Sequence, residues 1–165
     1  MDKRYGLILL IVVGCCINLY IISNSSDMIG SASVECENYI FTMPPGFILY
    51  DSYPDYVIIH DSKTGMNVGV YPHLDSSDTY ENKLYSLAND GYTIVSNGTI
   101  NVGDIVVKSV YYTKQQDNRT TFFFEKDGNR FRVLMTGFNL ENDRNTTIDY
   151  LSEIVQSIKY NYSKN

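Results

Sequence analysis

Only a few side chains in this sequence have the types and spacing for acid–base or metal chemistry. His60 sits next to Asp61, and His73 is followed by Asp75, Asp78 and Glu81. A histidine with several carboxylates is a donor set for a divalent cation. The same carboxylates fit a plainer role. Asp75 to Asp78 reads as a polar loop, Asp78 as a helix N-cap, and Glu81, three residues on, as the other half of a capping box. That reading accounts for both acids, so no metal is assigned. The sequence contains no Gly-x-Ser-x-Gly elbow, His-Glu-x-x-His helix, phosphate-binding glycine loop or dinucleotide fingerprint. A catalytic carboxylate pair is defined by a separation in space that spacing along the chain does not give. No catalytic, cofactor-binding or metal residue is therefore assigned, and a non-enzymatic protein is expected. An exported hydrolase built from scattered carboxylates and His60 or His73 is the alternative.

Cysteine adds little. Cys15 and Cys16 lie in an apolar run, which leaves Cys36 alone in the rest of the chain. A zinc site of the Cys-x-x-Cys type is excluded by count. One thiol cannot staple its own domain, so the fold must stand on its core, and Cys36, in the stretch before the first expected strand, has only another chain to pair with. Tyrosine is the unusual residue, at fifteen copies with no Trp. Tyr56, Tyr92, Tyr111 and Tyr112 suit half-buried strand positions, whereas an exposed cluster would offer a partner or glycan both area and hydroxyls. Acceptor triplets for N-glycosylation occur at Asn24, Asn97, Asn118, Asn145 and Asn161. Asn97, Asn118 and Asn145 fall in expected turns and are the candidate modification sites in a host with that machinery.

These groups are positioned by an export segment and one domain. Gly6 to Ile22 holds no charge and one strongly polar side chain, Asn18. As a helix its seventeen residues cover roughly 25 Å, against a hydrocarbon core of about 30 Å. Lys3 and Arg4 precede it and no Lys or Arg follows until Lys63, so the N-terminus is expected inside and the rest outside. A retained signal-anchor over residues 1–22 is the first choice. A cleaved signal peptide is second, with Ser23-Asn24-Ser25 or Gly30 to Ser33 as the small-residue stretch. A lipoprotein is third: Val12-Val13-Gly14-Cys15 resembles a lipobox that would lipidate Cys15, but the apolar run continues beyond it. Setting aside the net +1 of Asp2, Lys3 and Arg4, the remainder carries −7. Without a basic cluster, nucleic acid and anionic lipid are both disfavoured partners.

Residues 23–38 read as a linker, 39–160 as the domain and 161–165 as a tail. Strands are expected at Tyr39–Met43, Phe47–Tyr50, Tyr56–Asp61 and Met66–Tyr71, then at Tyr92–Ser96, Thr99–Val102, Ile105–Thr113, Thr120–Glu125 and Arg130–Thr136. Asn97-Gly98 and Asp127-Gly128 are the hairpin signals. Tyr80, Leu84, Leu87 and Ala88 give a mid-chain helix one apolar stripe. Ile148, Leu151, Ile154, Val155 and Ile158 do the same for a helix over Thr147–Lys159, with Thr146 and Asp149 as its capping box. Phe122, Phe124, Phe131, Val133 and Met135 should centre the core. This predicts an α+β domain, an antiparallel sheet with one mid-chain and one C-terminal helix packed on it.

Phe41-Thr42-Met43-Pro44-Pro45-Gly46-Phe47 resembles the opening of PsbP-like domains, where a strand runs into a Pro-Gly-aromatic turn. Asp127-Gly128-Asn129-Arg130-Phe131 resembles their late hairpin, and Ile154-Val155-Gln156-Ser157-Ile158-Lys159 their closing helix. The resemblance covers about residues 39–160. It implies a fold whose members act by binding rather than catalysis: an extrinsic photosystem II subunit, a nuclear-import factor that binds a small GTPase, and exported bacterial lipoproteins. No family ligand residue maps onto a matching motif here. The expectation is a membrane-anchored, outward-facing binding or accessory module, its partner an unknown protein or glycan at the cell surface. A structural envelope component is the third reading.

Overall fold

The computed structural model describes residues 32–139 and 143–162. The expected membrane segment with Cys15, and Ser23-Asn24-Ser25, lie outside them; of the second expected cleavage stretch, Gly30 to Ser33, only Ala32 and Ser33 are described, and Ser33 belongs to the first strand. Among the described residues no helix is long and apolar enough to cross a membrane.

Ten strands form two antiparallel sheets among the described residues. β1 (Ser33–Cys36), β2 (Tyr39–Thr42) and β10 (Lys159–Tyr160) make the small sheet, in the order β1-β2-β10. β3 (Phe47–Ser52), β4 (Val57–Asp61), β5 (Asn67–Tyr71), β6 (Thr93–Val102), β7 (Ile105–Lys114), β8 (Asp117–Lys126) and β9 (Asn129–Thr136) make the large one, in the order β3-β4-β5-β9-β8-β7-β6. Helix α1 (Tyr80–Asn89) crosses from β5 to the far edge, and α2 (Arg144–Ser157) precedes β10. This is an α+β architecture with one mid-chain and one C-terminal helix.

Alternation along the strands sorts the side chains into two faces. The register sets Val107 against Phe124 and Phe124 against Phe131, Phe122 against Val133, and Val133 against Val70. These residues are buried together with Leu151, Ile154 and Val155 of α2 and Phe41 of β2, so α2 and the small sheet cover this face. Ser157 accepts from the Thr42 amide (2.9 Å), tying α2 to β2. On the opposite face α1 packs at the β6–β8 end. There Leu87 of α1, flanked by Tyr80 and Leu84, packs on Val110 and Tyr112. Tyr112 and Thr121 hydroxyls meet under the helix at 3.0 Å, so both buried polar groups are satisfied.

Several expectations are corrected. Asn97-Gly98 is not a turn: it lies inside the single long strand β6, with Gly98 opposite Ser109, and the chain reverses at Gly103-Asp104 instead. Thr79, not Asp78, caps α1, its hydroxyl accepting from the Asn82 amide at 3.1 Å. α2 starts at Arg144 rather than Thr147, and Asp143 at its N-cap makes no side-chain cap bond. The first strand opens at Ser33, inside the stretch read as linker. There the Val34 and Cys36 side chains are buried and the register runs Val34 to Phe41 and Cys36 to Tyr39. Cys36 Sγ lies 4.0 Å from the Val70 carbonyl, inside the core, where it is inaccessible to a second chain.

Candidate functional site

The residues that looked able to do chemistry do not converge. His60 and Asp61 are consecutive in β4 and so face opposite ways. The His60 Nδ1–H donates to Asn67 Oδ1 (2.9 Å) on the open face. Asp61, buried on the core side, accepts from the Lys63 amide (2.9 Å) and the Thr64 hydroxyl (2.7 Å), and so shapes the β4–β5 turn. His73 Nε2 lies 3.3 Å from Glu37 Oε2, and its ring rests on Tyr39. Asp75 accepts from the Ser77 amide and hydroxyl and from the Asp78 amide, which holds its carboxyl below the usual range. Asp78 pairs with Arg132 at 2.5 Å and Glu81 with Lys108 at 2.6 Å. The four members of the candidate cation set thus have four separate partners.

A recess of about 300 Å³ lies between the first turn of α1 and the outer face of β7–β9. Phe123, Tyr80 and Val106 give it an apolar floor. Much of its charged rim is already engaged: Lys108 holds Glu81, and the Arg130 guanidinium donates to the Leu74 (2.7 Å) and Asp75 (2.5 Å) carbonyls. These bonds fix the 74–79 loop to the β8–β9 hairpin. No nucleophile with an adjacent base lines it.

The β3-β4-β5-β9 half of the outer face is a different surface. The 74–79 loop meets its β9 border through Arg130 and Arg132, and Tyr50, Tyr53, Tyr56 and Tyr71 stand on or beside the rest. Tyr53 stacks on Tyr56 (4.4 Å between centroids, 19° between planes), and Tyr56 stacks on Tyr71 (4.8 Å, 22°). Arg132 lies over Tyr71 at 4.2 Å and continues to Asp78. Tyr50 leans on His60 at 5.9 Å. The row depends on Gly69. A Cβ there would sit 2.9 Å from the Tyr71 ring, so the missing side chain lets Tyr71 lie flat along its own strand and reach Tyr56. At the outer end the Tyr53 hydroxyl donates to Asp51 (2.6 Å), which pushes its pKa up to about 12. Burial raises Tyr71 as well, partly offset by Arg132. The result is a shallow aromatic surface on which Asp51 and Asp78 are already hydrogen-bonded.

The expected modification sites separate on geometry. Asn97 is exposed on edge strand β6, and Asn145 is exposed in the first turn of α2. Asn118, in β8, donates its Nδ2 to the Phe138 carbonyl (3.2 Å), and buried Asn161 donates its Nδ2 to Glu35 (3.4 Å). In both of these the nitrogen a glycan would occupy is already engaged.

Sequence could have shown that His60 and Asp61 diverge, since strand neighbours always do. It missed the tyrosine row, because Tyr53 meets Tyr56 across the β3–β4 turn and Tyr56 meets Tyr71 only through the β4–β5 register.

No family model and no curated protein matches the chain. Solved structures do. The chain is similar to CyanoP, the cyanobacterial PsbP of Synechocystis sp. PCC 6803, at 16% identity and a TM-score of 0.45, over 80% of this chain and 95% of that one. It is similar to a Bacteroides thetaiotaomicron VPI-5482 protein at 10% identity and a TM-score of 0.49, over 82% of this chain and 50% of that one. A Pseudomonas aeruginosa protein of unknown function, PA94, described as a putative regulator, is similar at 11% identity and a TM-score of 0.44, over 75% and 95%. CyanoP bears the family name that the sequence resemblance suggested, and its likeness to this chain covers 80% of it.

Proposed function

We propose that this domain is a non-enzymatic binding or accessory module, held on the outer side of a membrane by residues 1–22, which engages a protein partner through the tyrosine-bearing half of its large sheet. The observation that carries this reading is the aromatic face itself. It is open, shallow and free of converging acids, while His60 and His73 stand in separate places with separate partners. Tyrosines of this kind supply contact area and a polar tip together, the usual anchor of a protein interface. A protein is favoured over a glycan because Tyr56 and Tyr71 spend their ring faces on each other and on Arg132, and so withdraw the flat surfaces a sugar would stack on. The uncharged run from Gly6 to Ile22, with Lys3 and Arg4 before it, supports the anchor and its orientation.

The test is site-specific photocrosslinking in the native membrane. A benzoylphenylalanine at position 50, on the open face, should give adducts. The same probe at position 85, equally exposed but on α1, should not. Equal yields at both positions, or none at 50, overturn the proposal.

A further inference from the structure

β3 is an outer strand of the large sheet, and three consecutive large apolar residues stand in the open along it. Ile48 is 50% exposed, Leu49 48% and Tyr50 68%. Soluble proteins normally guard such an edge with Lys, Pro or inward charge, because its unpaired amides and carbonyls template another strand. β3 has no Lys, Arg or Pro. Its one charge, Asp51, already accepts from the Ser52 amide (2.9 Å) and the Tyr53 hydroxyl (2.6 Å). The opposite edge, β6, differs: it exposes one large apolar side chain, Val95.

We propose that two copies of this chain pair antiparallel through β3, about a two-fold axis at Leu49, which joins their large sheets edge to edge. This rests on the binding reading above and names a second copy as the partner, engaged at the β3 border of the tyrosine-bearing half, where Tyr50 stands against His60. The backbone supplies the first argument. The Phe47 amide turns back to the Pro44 carbonyl (3.2 Å) and so points away from β4. Two residues on, alternation presents the Leu49 amide and carbonyl on that same outer side.

Register supplies the second argument. A two-fold axis normal to a sheet keeps each face on its own side. Leu49 therefore meets Leu49, and Ile48 of each copy meets Tyr50 of the other. An aromatic across from a β-branched residue is a favourable cross-strand pair. The exposed triplet is thus its own complement, and each copy covers what the other exposes.

Charge supplies the third. Within the triplet nothing is charged, and Asp51 falls towards Phe47 of the second copy rather than towards its own mate. The register irregularity between Leu49 and Asp51 bends the strand there and keeps the shared ladder short. The net charge of −6 on each chain opposes the approach of two copies at long range, so pairing should tighten as salt screens it.

The experiment uses the full chain in its native membrane with Cys15 and Cys16 replaced by Ser. Under mild oxidation Leu49→Cys should form a disulfide-linked dimer. Hydrogen-bonded antiparallel partners lie about 5.5 Å apart at Cα, within the disulfide range of about 4.4–6.8 Å. Val95→Cys and Tyr85→Cys should remain monomeric. The photoprobe at position 50 should yield an adduct of twice the chain mass, and Leu49→Lys, which sets two ammonium groups face to face, should cut that yield on the order of tenfold. Dimer at 95 or 85 as readily as at 49, or none at 49, overturns the pairing. An adduct of another mass at 50 overturns the pairing and leaves the binding reading intact; no adduct overturns both.

Discussion

Gly69→Ala tests whether the tyrosine row is a built feature. In most strands this change is mildly stabilising, by about 0.5–1 kcal/mol, because Ala loses less backbone freedom on folding. Gly69 is not at positive φ, so no backbone strain opposes it. What opposes it is the Tyr71 ring, 2.9 Å from the new methyl at one ring carbon and 3.1 Å at the hydroxyl. The ring is the far end of a flexible side chain, so it swings away rather than unfolding the strand. Swinging separates it from Tyr56, an aromatic pair worth about 0.5–1.5 kcal/mol. It also leaves Arg132, a cation–π contact worth about 0.5–1 kcal/mol at such exposure. Net destabilisation is therefore on the order of 1 kcal/mol instead of a gain, or a Tm lower by roughly 4 °C for a domain of this size. With no Trp in the chain, near-ultraviolet circular dichroism reads the tyrosines directly, and the variant should lose signal while far-ultraviolet ellipticity holds. Crosslinking at position 50 should fall with it. A variant more stable than the parent, with an unchanged near-ultraviolet spectrum, would refute the account of Gly69.

Asp51→Asn should return the Tyr53 pKa from about 12 towards its ordinary value near 10, because the hydrogen bond to the Asp51 carboxylate is the largest cause of the shift; tyrosinate absorbance through an alkaline titration reads it. Gly137→Ala should cost more than Gly65→Ala. Both glycines are left-handed, for a strain of about 1–2 kcal/mol, but at Gly137 the new Cβ would also lie 2.5 Å from the Gly65 carbonyl oxygen, where backbone meets backbone, while at Gly65 it meets nothing. Denaturant midpoints that fail to separate the two variants by about 1 kcal/mol or more would count against this. Mass spectrometry of protein from its own host should find glycans at Asn97 and Asn145 and bare Asn118 and Asn161; sugar on Asn118, whose nitrogen holds the Phe138 carbonyl, would contradict the geometry.

Local signals predicted the fold well where tertiary pairing agreed with them. Asp127-Gly128 forms a hairpin with both residues left-handed, at φ 52° and 72°. Asn97-Gly98 carries as strong a signal and fails. β7 runs ten residues, and following it to Gly103 lets β6 complete a ladder along its whole length, where an early reversal would strand half of β7. Neither Asn97 nor Gly98 needs positive φ in that setting. The cap of α1 slips one residue for a related reason: Asp78 is drawn to Arg132 across the sheet, and Thr79 takes the cap. β1 went unread because four residues give alternation too little length to stand out from a Ser-rich linker.

The tyrosine face was less legible than the core for a physical reason. A core stripe is written in one strand or helix, as Phe122 and Phe124 or Leu151, Ile154 and Val155 show. The face is written across strands: Tyr56 stacks on Tyr71, Gly69 makes room for that ring, and Arg132 closes the row from β9. Each is unremarkable alone. α1 completes the asymmetry, since its ten residues span only the β6–β8 half of a seven-stranded face and Leu87 is its one fully buried side chain. A helix of that length covers about 15 Å, whereas seven strands at about 4.8 Å spacing extend about 29 Å. One short helix therefore leaves roughly half of the outer face uncovered. Tyr50, Tyr53, Tyr56 and Tyr71 stand on that half beside His60 and Arg132, and tyrosines tolerate water at one end and contact at the other.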